Sequence, residues 1–432
     1  MKKIRIRRHG SLGGIFLLLT IGLAAPAGGS ESEILRAIDA VSPSYRNVSQ
    51  QIWEWKELGQ KEFQSSALLM EELKKLGFLV KGNLPVPTDL IQEGIARTAF
   101  KAEMAGKGPG PTLTIMLEYD ALANGHSCGH NLIATSGLMA AAGLAKIMPE
   151  TPGRLVVMGT PDEERGSLGM GKVALLEGGH FDGSDVVFIT HPADRWSLDQ
   201  RFLAIKRAFF TFKGKAAHAA MAPHKGVNAL RAAILMINSV DMLREHFRQD
   251  VRIHAIITKG GSQVNVVPEL AQVEYGCRAL DTVTMEKAFK KIVDCAKAAE
   301  LVTEAKLEFK EPRVFLTAPI AVPPLTSLVA QKVRGIGIPA EEIRDFSEFA
   351  SSDLGRVGYA YPTVNLWFKI APAGTTLHSD AFREAAASEE GWKATILAAK
   401  AIALSAYELF RNPETVKEIQ KSFQEMKAKE GK

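Results

Sequence analysis

The chain has 432 residues, 46% of them hydrophobic and 23% charged, which excludes a disordered or fibrous polypeptide and leaves room for two or three folded domains. Its formal net charge is +5, but Lys2, Lys3, Arg5, Arg7 and Arg8 supply that excess, so the rest of the chain is close to neutral and gives no electrostatic case for nucleic-acid binding. The three cysteines, Cys128, Cys277 and Cys295, are too few for a disulfide scaffold; Cys277 and Cys295 read as buried thiols, or as one pair should their backbones meet.

The basic run is followed by an apolar stretch from Leu12 to Ala25 and then by Ala25-Pro26-Ala27 before Gly28. This is the three-part layout of a secretory signal peptide over residues 1–27, with an apolar part short for a bilayer span; an uncleaved anchor is the alternative. The mature protein is expected to be periplasmic or secreted, without a stable membrane span. Arg7-Arg8 leaves the general and the twin-arginine routes open.

Past the leader, Glu31–Leu58 reads as a helix with a break at Ser42-Pro43, and Glu62–Leu76 as a second helix. Short apolar strands are expected at Leu113–Leu117, Arg154–Gly159 and Asp185–Ile189, with an Ala/Leu-rich helix at Asn131–Ile147. This alternation predicts an α/β domain, a central mixed sheet with helices on both faces. The texture changes near Phe202. Strands at Leu203–Phe212, Val251–Thr258, Val273–Ala279 and Leu307–Lys310 enclose helices at Val227–Arg244 and Thr284–Ala299. That β-α-β-β-α-β order predicts a ferredoxin-like α+β module inserted at 202–314. A strand at Val364–Phe368 and a helix from Glu384 to Leu409 return the chain to the first domain, which then comprises 28–201 and 315–432.

Chemistry-bearing residues gather where the first three strands end. Gly125-His-Ser-Cys-Gly-His130 follows the first, Gly159-Thr-Pro-Asp-Glu-Glu164 ends the second, and Thr190-His191-Pro192 closes the third. The carboxyl ends of strands in α/β sheets are where ligands bind. Cys128 and His130 can converge on one ion across Gly129, and thiolate with imidazole suits zinc, with manganese or cobalt as alternatives. Of the adjacent Glu163 and Glu164, one can bind metal while the other takes the proton of an attacking water. Gly374-Thr-Thr-Leu-His378 lies after the last strand and adds one more imidazole. Cys128 has no cysteine nearby in sequence, which argues against thiol redox chemistry.

Taken together, EYDAL (118–122), GHSCGHNLIA (125–134), GTPDEE (159–164), THPA (190–193), GKAAHAAMAPHKGVNAL (214–230), NVVPELAQVEYGCRA (265–279), SSDLG (351–355) and PAGTTLHS (372–379) resemble the aminoacylase and carboxypeptidase amidohydrolases of peptidase family M20. The branch that contains aminobenzoyl-glutamate hydrolase and β-alanyl-lysine-type dipeptidases is the most similar, and the match runs in order through the mature chain. The resemblance implies a di-metal exopeptidase-like catalytic domain with a lid and dimerisation domain inserted into it, and a homodimer formed through the lid. It implies two divalent ions, with Cys128 bridging and His130, Glu164, His191 and His378 completing the site. Glu163 would be the general base for a metal-activated water. His218, in relatives often offered by the partner subunit, would stabilise the oxyanion. Arg278, Asn265 and Gly374 would bind the substrate, Arg278 and Asn265 at its carboxylate; a structural ion pair is the other reading of Arg278. Asp120 and His126 would support the ligands from behind. The implied substrate is a small N-acyl amino acid or dipeptide-like amide with a free carboxylate. The alternative is a non-catalytic small-molecule binding protein on the same fold. Asn131, where hippuricase-like members carry Asp, and the short Ala123-Asn124 loop depart from the simple aminoacylases.

Overall fold

The apolar runs that precede the motifs form neighbouring strands of one sheet in the computed structural model, which describes residues 28–165, 171–347 and 349–431. The expected signal peptide, residues 1–27, lies outside the described residues. The sheet contains β1 (Leu79–Pro85), β2 (Ile95–Ala105), β3 (Thr112–Leu117), β4 (Arg154–Gly159), β5 (Val186–Ala193) and, from far downstream, β10 (Thr363–Lys369). Their order is β1-β2-β4-β3-β5-β10. Strands β4, β3, β5 and β10 are mutually parallel, and β1 and β2 add an antiparallel edge.

Parallel strands covered on both faces should be apolar without alternation, and these are. Leu113, Ile115, Leu117, Leu155, Val157, Val186 and Phe188 face one core. Met116, Val156, Met158, Val187 and Ile189 face the other. The first face is covered by α1 (Gly28–Trp55), α3 (His130–Ala145) and α10 (Glu389–Arg411). All residues of α3 from His130 to Leu144 are buried, which a helix manages only when it is apolar or small all round. The second face is covered by α4 (Gly171–Glu177) and α8 (Leu354–Ala360). Helix α2 (Phe63–Lys75) packs on β2, while α7 (Pro323–Gly335) and α11 (Pro413–Lys427) flank α10.

The second sheet is antiparallel throughout. It contains β6 (Ala204–Lys213), β7 (Arg252–Lys259), β8 (Leu270–Ala279) and β9 (Lys306–Phe309) in the order β7-β8-β6-β9, the ferredoxin-like arrangement. Helices α5 (Ala229–Met242), capped by Asn228, and α6 (Thr282–Thr303), capped by Asp281, cover one face over a separate apolar core. Cys277 and Cys295 are buried there as free thiols. No helix among the described residues is long and apolar enough to cross a membrane.

Two expectations need correction. Helix α1 runs unbroken through Ser42-Pro43. A proline cannot donate to the carbonyl four residues back, and here the Ser42 hydroxyl donates to that Asp39 carbonyl instead, at 3.0 Å. The single helix expected from Glu384 is two pieces, α9 (Asp380–Ala385) and α10, because the Ser388 hydroxyl caps a new N-terminus by accepting from Gly391 N. The β1–β2 hairpin was not anticipated; β1 carries Gly82 and Pro85, both poor strand formers.

Gly159 ends β4 immediately before the Glu163-Glu164 turn. A Cβ there would lie 2.3–2.7 Å from the ring of Phe100, which is fully buried and stacks on Tyr119 with centroids 5.9 Å apart. Gly159→Ala should therefore overpack this layer and destabilise the fold by about 1–3 kcal/mol. The expected result is a lower urea midpoint at unchanged slope; an unaltered midpoint would show that the Phe100 layer yields freely.

Candidate metal centre

The parallel strands deliver their carboxyl ends to one edge, and four loops meet there. The first turns sharply at Gly129, whose φ of +77° and 2.8 Å approach of a would-be Cβ to Pro192 leave no room for a side chain. That turn brings Cys128 and His130 to the same side. The last loop is laced to the first: His378 N donates to Ser127 O at 2.8 Å, and the Asn124 side-chain amide donates to His378 O at 3.1 Å.

His130 is fully buried. Its Nδ1 donates to Asp120 Oδ1 at 2.9 Å, and Asp120 Oδ2 accepts from Glu164 N at 2.8 Å. One carboxylate thus orients two candidate ligands. His130 Nε2 has no hydrogen-bond partner, and around it stand Glu118 Oε2 at 3.5 Å, Glu164 Oε1 at 3.6 Å and Glu163 Oε2 at 4.0 Å. His191 donates Nδ1–H to the Pro192 carbonyl at 2.7 Å, which leaves its Nε2 as an acceptor, and that atom is hydrogen-bonded to Cys128 Sγ at 3.5 Å. Its ring rests on Trp367, centroids 4.6 Å apart. His378 Nε2 lies 3.6 Å from Glu164 Oε2.

These atoms form two triads that share the thiol. Donor atoms of Cys128, His130 and His191 all lie within 4.8 Å of one another, as do those of Cys128, Glu164 and His378. His130, Glu163 and Glu164 make a third such group. A buried imidazole nitrogen without a partner, surrounded by a thiol, carboxylates and a second imidazole, is a fit for a divalent ion such as zinc. Without a cation the set is strained electrostatically. Burial, with Glu164 beside it, pushes the Cys128 thiol well above its ordinary range. Burial and Glu118 do the same to the Glu163 carboxyl. Burial opposes charge on His130, but Asp120 and Glu164 outweigh it and hold its proton. His191 is held down to about 4 by burial and stays neutral.

The five candidate ligands, Glu163 and Asp120 are therefore brought together. His126 is buried behind this set: its Nε2 donates to the Ile52 carbonyl at 2.9 Å, which anchors the loop to α1. Gly374, with φ of +88°, donates its N–H to Asp194 Oδ2 at 2.7 Å. His218 and Asn265 are exposed neighbours on the second sheet's module, where Ala219 N donates to Asn265 O. Among the described residues no hydrogen bond or ion pair joins either to the ligand cluster. Arg278 lies on the open face of the second sheet with Arg207, His254 and Glu274, around a cavity of about 210 Å³. Its guanidinium donates to Ser351 Oγ at 3.3 Å, and no carboxylate among the described residues pairs with it.

Four residues of this region were not singled out from sequence. Glu118, Lys172 and Asp353 form a buried ion cluster, and Ser352 Oγ donates to Glu163 Oε1 at 2.8 Å. A lysine inside an apolar helical run and acids closing apolar segments were the available signals.

A model of the peptidase dimerisation domain of family M20 matches residues 204–304. The chain is 30% identical over 421 residues to the Xaa-Arg dipeptidase of Homo sapiens, covering 92% of this chain and 93% of that one. The chain belongs to the M20 peptidase family. It is also 34% identical over 294 residues to a p-aminobenzoyl-glutamate hydrolase chain of Escherichia coli, covering 63% of this chain and 58% of that one. A dinuclear metal-binding M20 peptidase of Bacillus subtilis shares the fold, with a TM-score of 0.61 at 18% identity over 83% of this chain and 98% of that one. This M20 chain is accordingly a metallo-amidohydrolase by class, and the two triads are where its residues can hold ions.

Ion binding must displace protons from Cys128 and His130, whose affinities for protons are both raised in the empty site. Acid favours the protonated, empty form, so affinity should fall as pH drops from about 8 to about 6, with protons released on loading. Competition titration against a chelator at several pH values measures this; a pH-independent affinity would contradict it.

Proposed function

We propose that this M20 enzyme hydrolyses the amide bond of a small N-acyl amino acid or dipeptide that bears a free carboxylate, with Glu163 as general base. The observation that carries the reading is the pair of triads sharing Cys128, with the partnerless His130 Nε2 and the Glu163 carboxylate beside them. Two divalent ions there, zinc or else manganese or cobalt, would acidify water and polarise the scissile carbonyl. Asp120 keeps His130 and Glu164 in register. Glu163, its carboxylate held by the Ser352 hydroxyl, takes the proton of the attacking water and passes it to the leaving nitrogen.

Arg278 supports the carboxylate end of the substrate. Burial, with Arg207 and Arg252 nearby, disfavours its charge, and an incoming carboxylate would compensate it. The dipeptidase and the hydrolase act, by their names, on amides or peptides of an amino acid that keeps its carboxylate. Gly374, on the loop leading to His378, would line the same pocket. His218 and Asn265, exposed and unconnected to the cluster of their own chain, fit residues offered across a homodimer, His218 at the oxyanion. The 1–27 leader would export the protein. A solution mass of one protomer would count against the dimer, and an intact Met1 on protein recovered from the cell envelope would count against cleavage.

The deciding experiment uses purified mature protein with N-acyl amino acids, aminobenzoyl-glutamate and β-alanyl dipeptides, with and without chelator. Chelator-sensitive cleavage is expected. Glu163→Gln should keep its metal and lose at least a hundredfold in kcat. Full metal content with no cleavage of any substrate would favour a binding protein on this fold, and an active Glu163→Gln would remove Glu163 from its role.

A further inference from the structure

Behind Glu163 lies a charged chain that the hydrolytic reading leaves unused. Lys172, in the first turn of α4, is fully buried, which is rare for a lysine. Its Nζ lies 2.7 Å from Glu118 Oε1 and 2.5 Å from Asp353 Oδ1. Its backbone N–H reaches the other Asp353 oxygen at 3.1 Å. Asp353 is thus gripped twice by one residue, at the N-terminus of α8. The preceding residue, Ser352, accepts from Leu354 N at 3.1 Å, so its hydroxyl proton is directed to Glu163 Oε1 at 2.8 Å. On the other side, Glu118 gives Oε1 to the lysine while its buried Oε2 has no hydrogen-bond partner and faces His130 Nε2 at 3.5 Å.

One ammonium between two carboxylates is unbalanced as a structural staple, since an apolar trio of the same volume would pack at least as well. Both surplus ends of the cluster point to the metal centre, one at His130 and one through Ser352 at Glu163. We propose that Lys172 is a positioning residue for the hydrolysis: by holding Asp353 it fixes Ser352, and so keeps the Glu163 carboxylate aimed across the ligand cluster. The inference rests on the reading of Glu163 as base. Lys172 itself touches neither substrate nor Glu163 by a hydrogen bond; it acts through the Asp353–Ser352 segment, and through Glu118 it holds negative charge beside His130.

Lys172→Met, which keeps the length of the side chain, is expected to lower kcat roughly 10- to 100-fold with KM within about twofold. Metal content per protomer is read alongside and should stay near wild type; the melting temperature should fall in Lys172→Met, because Glu118 and Asp353 lose their shared cation, and stay near wild type in Ser352→Ala. Ser352→Ala should lower kcat in the same direction, and Ser352→Thr, which keeps the hydroxyl, should restore most of it. That second pair decides the matter if Lys172→Met does not fold. Wild-type kcat in Ser352→Ala, or a loss in either variant that merely follows lost metal or lost folded protein at the assay temperature, overturns the proposal. Failure of the base reading looks different: Glu163→Gln would then remain active. Glu163→Gln inactive beside a fully active Ser352→Ala sinks the positioning role alone.

Discussion

Concentrated negative charge at one end of a parallel sheet is the constraint on which the rest of the structure turns. Glu118, Asp120, Glu163, Glu164 and Asp353 lie within a few side chains of one another, the first two and Asp353 buried and the adjacent glutamates half-buried. Like charges that close repel strongly at the effective dielectric of a protein interior. The chain answers with one buried ammonium at Lys172 and a protonated imidazole at His130, which is short of balance. Even Glu62, one layer further out, is pushed up to about 8 by burial and by Asp120. Divalent cations are the natural complement, and the carboxylates that repel one another are the same ones proposed as ligand, orienter and base.

How that arrangement is kept ordered comes down to Asp120. Its two oxygens accept from His130 Nδ1 and from Glu164 N, so the tautomer of one ligand and the backbone of another are set by a single group. His191 achieves the same end by a different device, a bond to its neighbour's carbonyl and a ring resting on Trp367. His378 lies on an exposed loop, where its backbone is pinned to the Cys128 turn by bonds at Ser127 and Asn124. The rings of the candidate ligands His130 and His191 are thus oriented by groups outside the cluster, while Glu164 and His378 are held through their backbones.

What could be read in the sequence and what could not divides along contact range. Leu113–Leu117, Arg154–Gly159 and Val364–Phe368 are apolar runs bounded by turn residues, and the structure has strands over those segments. The motifs after them were legible because ligand chemistry demands rare residue types at short spacing. Lys172 was not, because its meaning depends on Asp353, 181 residues away, and on Glu118 from a third element. Read locally it is a lysine in a short apolar helical run, a signal that names no partner. The continuity of α1 through Pro43 was likewise hidden, since it depends on a single hydroxyl at Ser42 reaching the orphaned carbonyl. The bond from His126 to the carbonyl of Ile52 was hidden for the same reason, since it reaches 74 residues back along the chain.

The short segment from Ser351 to Asp353 joins the two halves of the molecule. Ser351 accepts from Arg278 on the second sheet, Ser352 donates to Glu163 at the centre, and Asp353 is held by Lys172 beneath the first sheet. Three consecutive side chains therefore connect the face proposed to receive a substrate carboxylate, the proposed base, and the buried cluster behind it. Asp353 is fixed by two bonds to one buried residue, so displacement of the segment is resisted from below while Arg278 approaches from above. A substrate carboxylate drawn to Arg278 would thus act on a guanidinium already tied to the strap beside the base. In this geometry, recognition of the carboxylate and orientation of the base depend on one stretch of backbone, although the residues responsible come from sheets with separate cores.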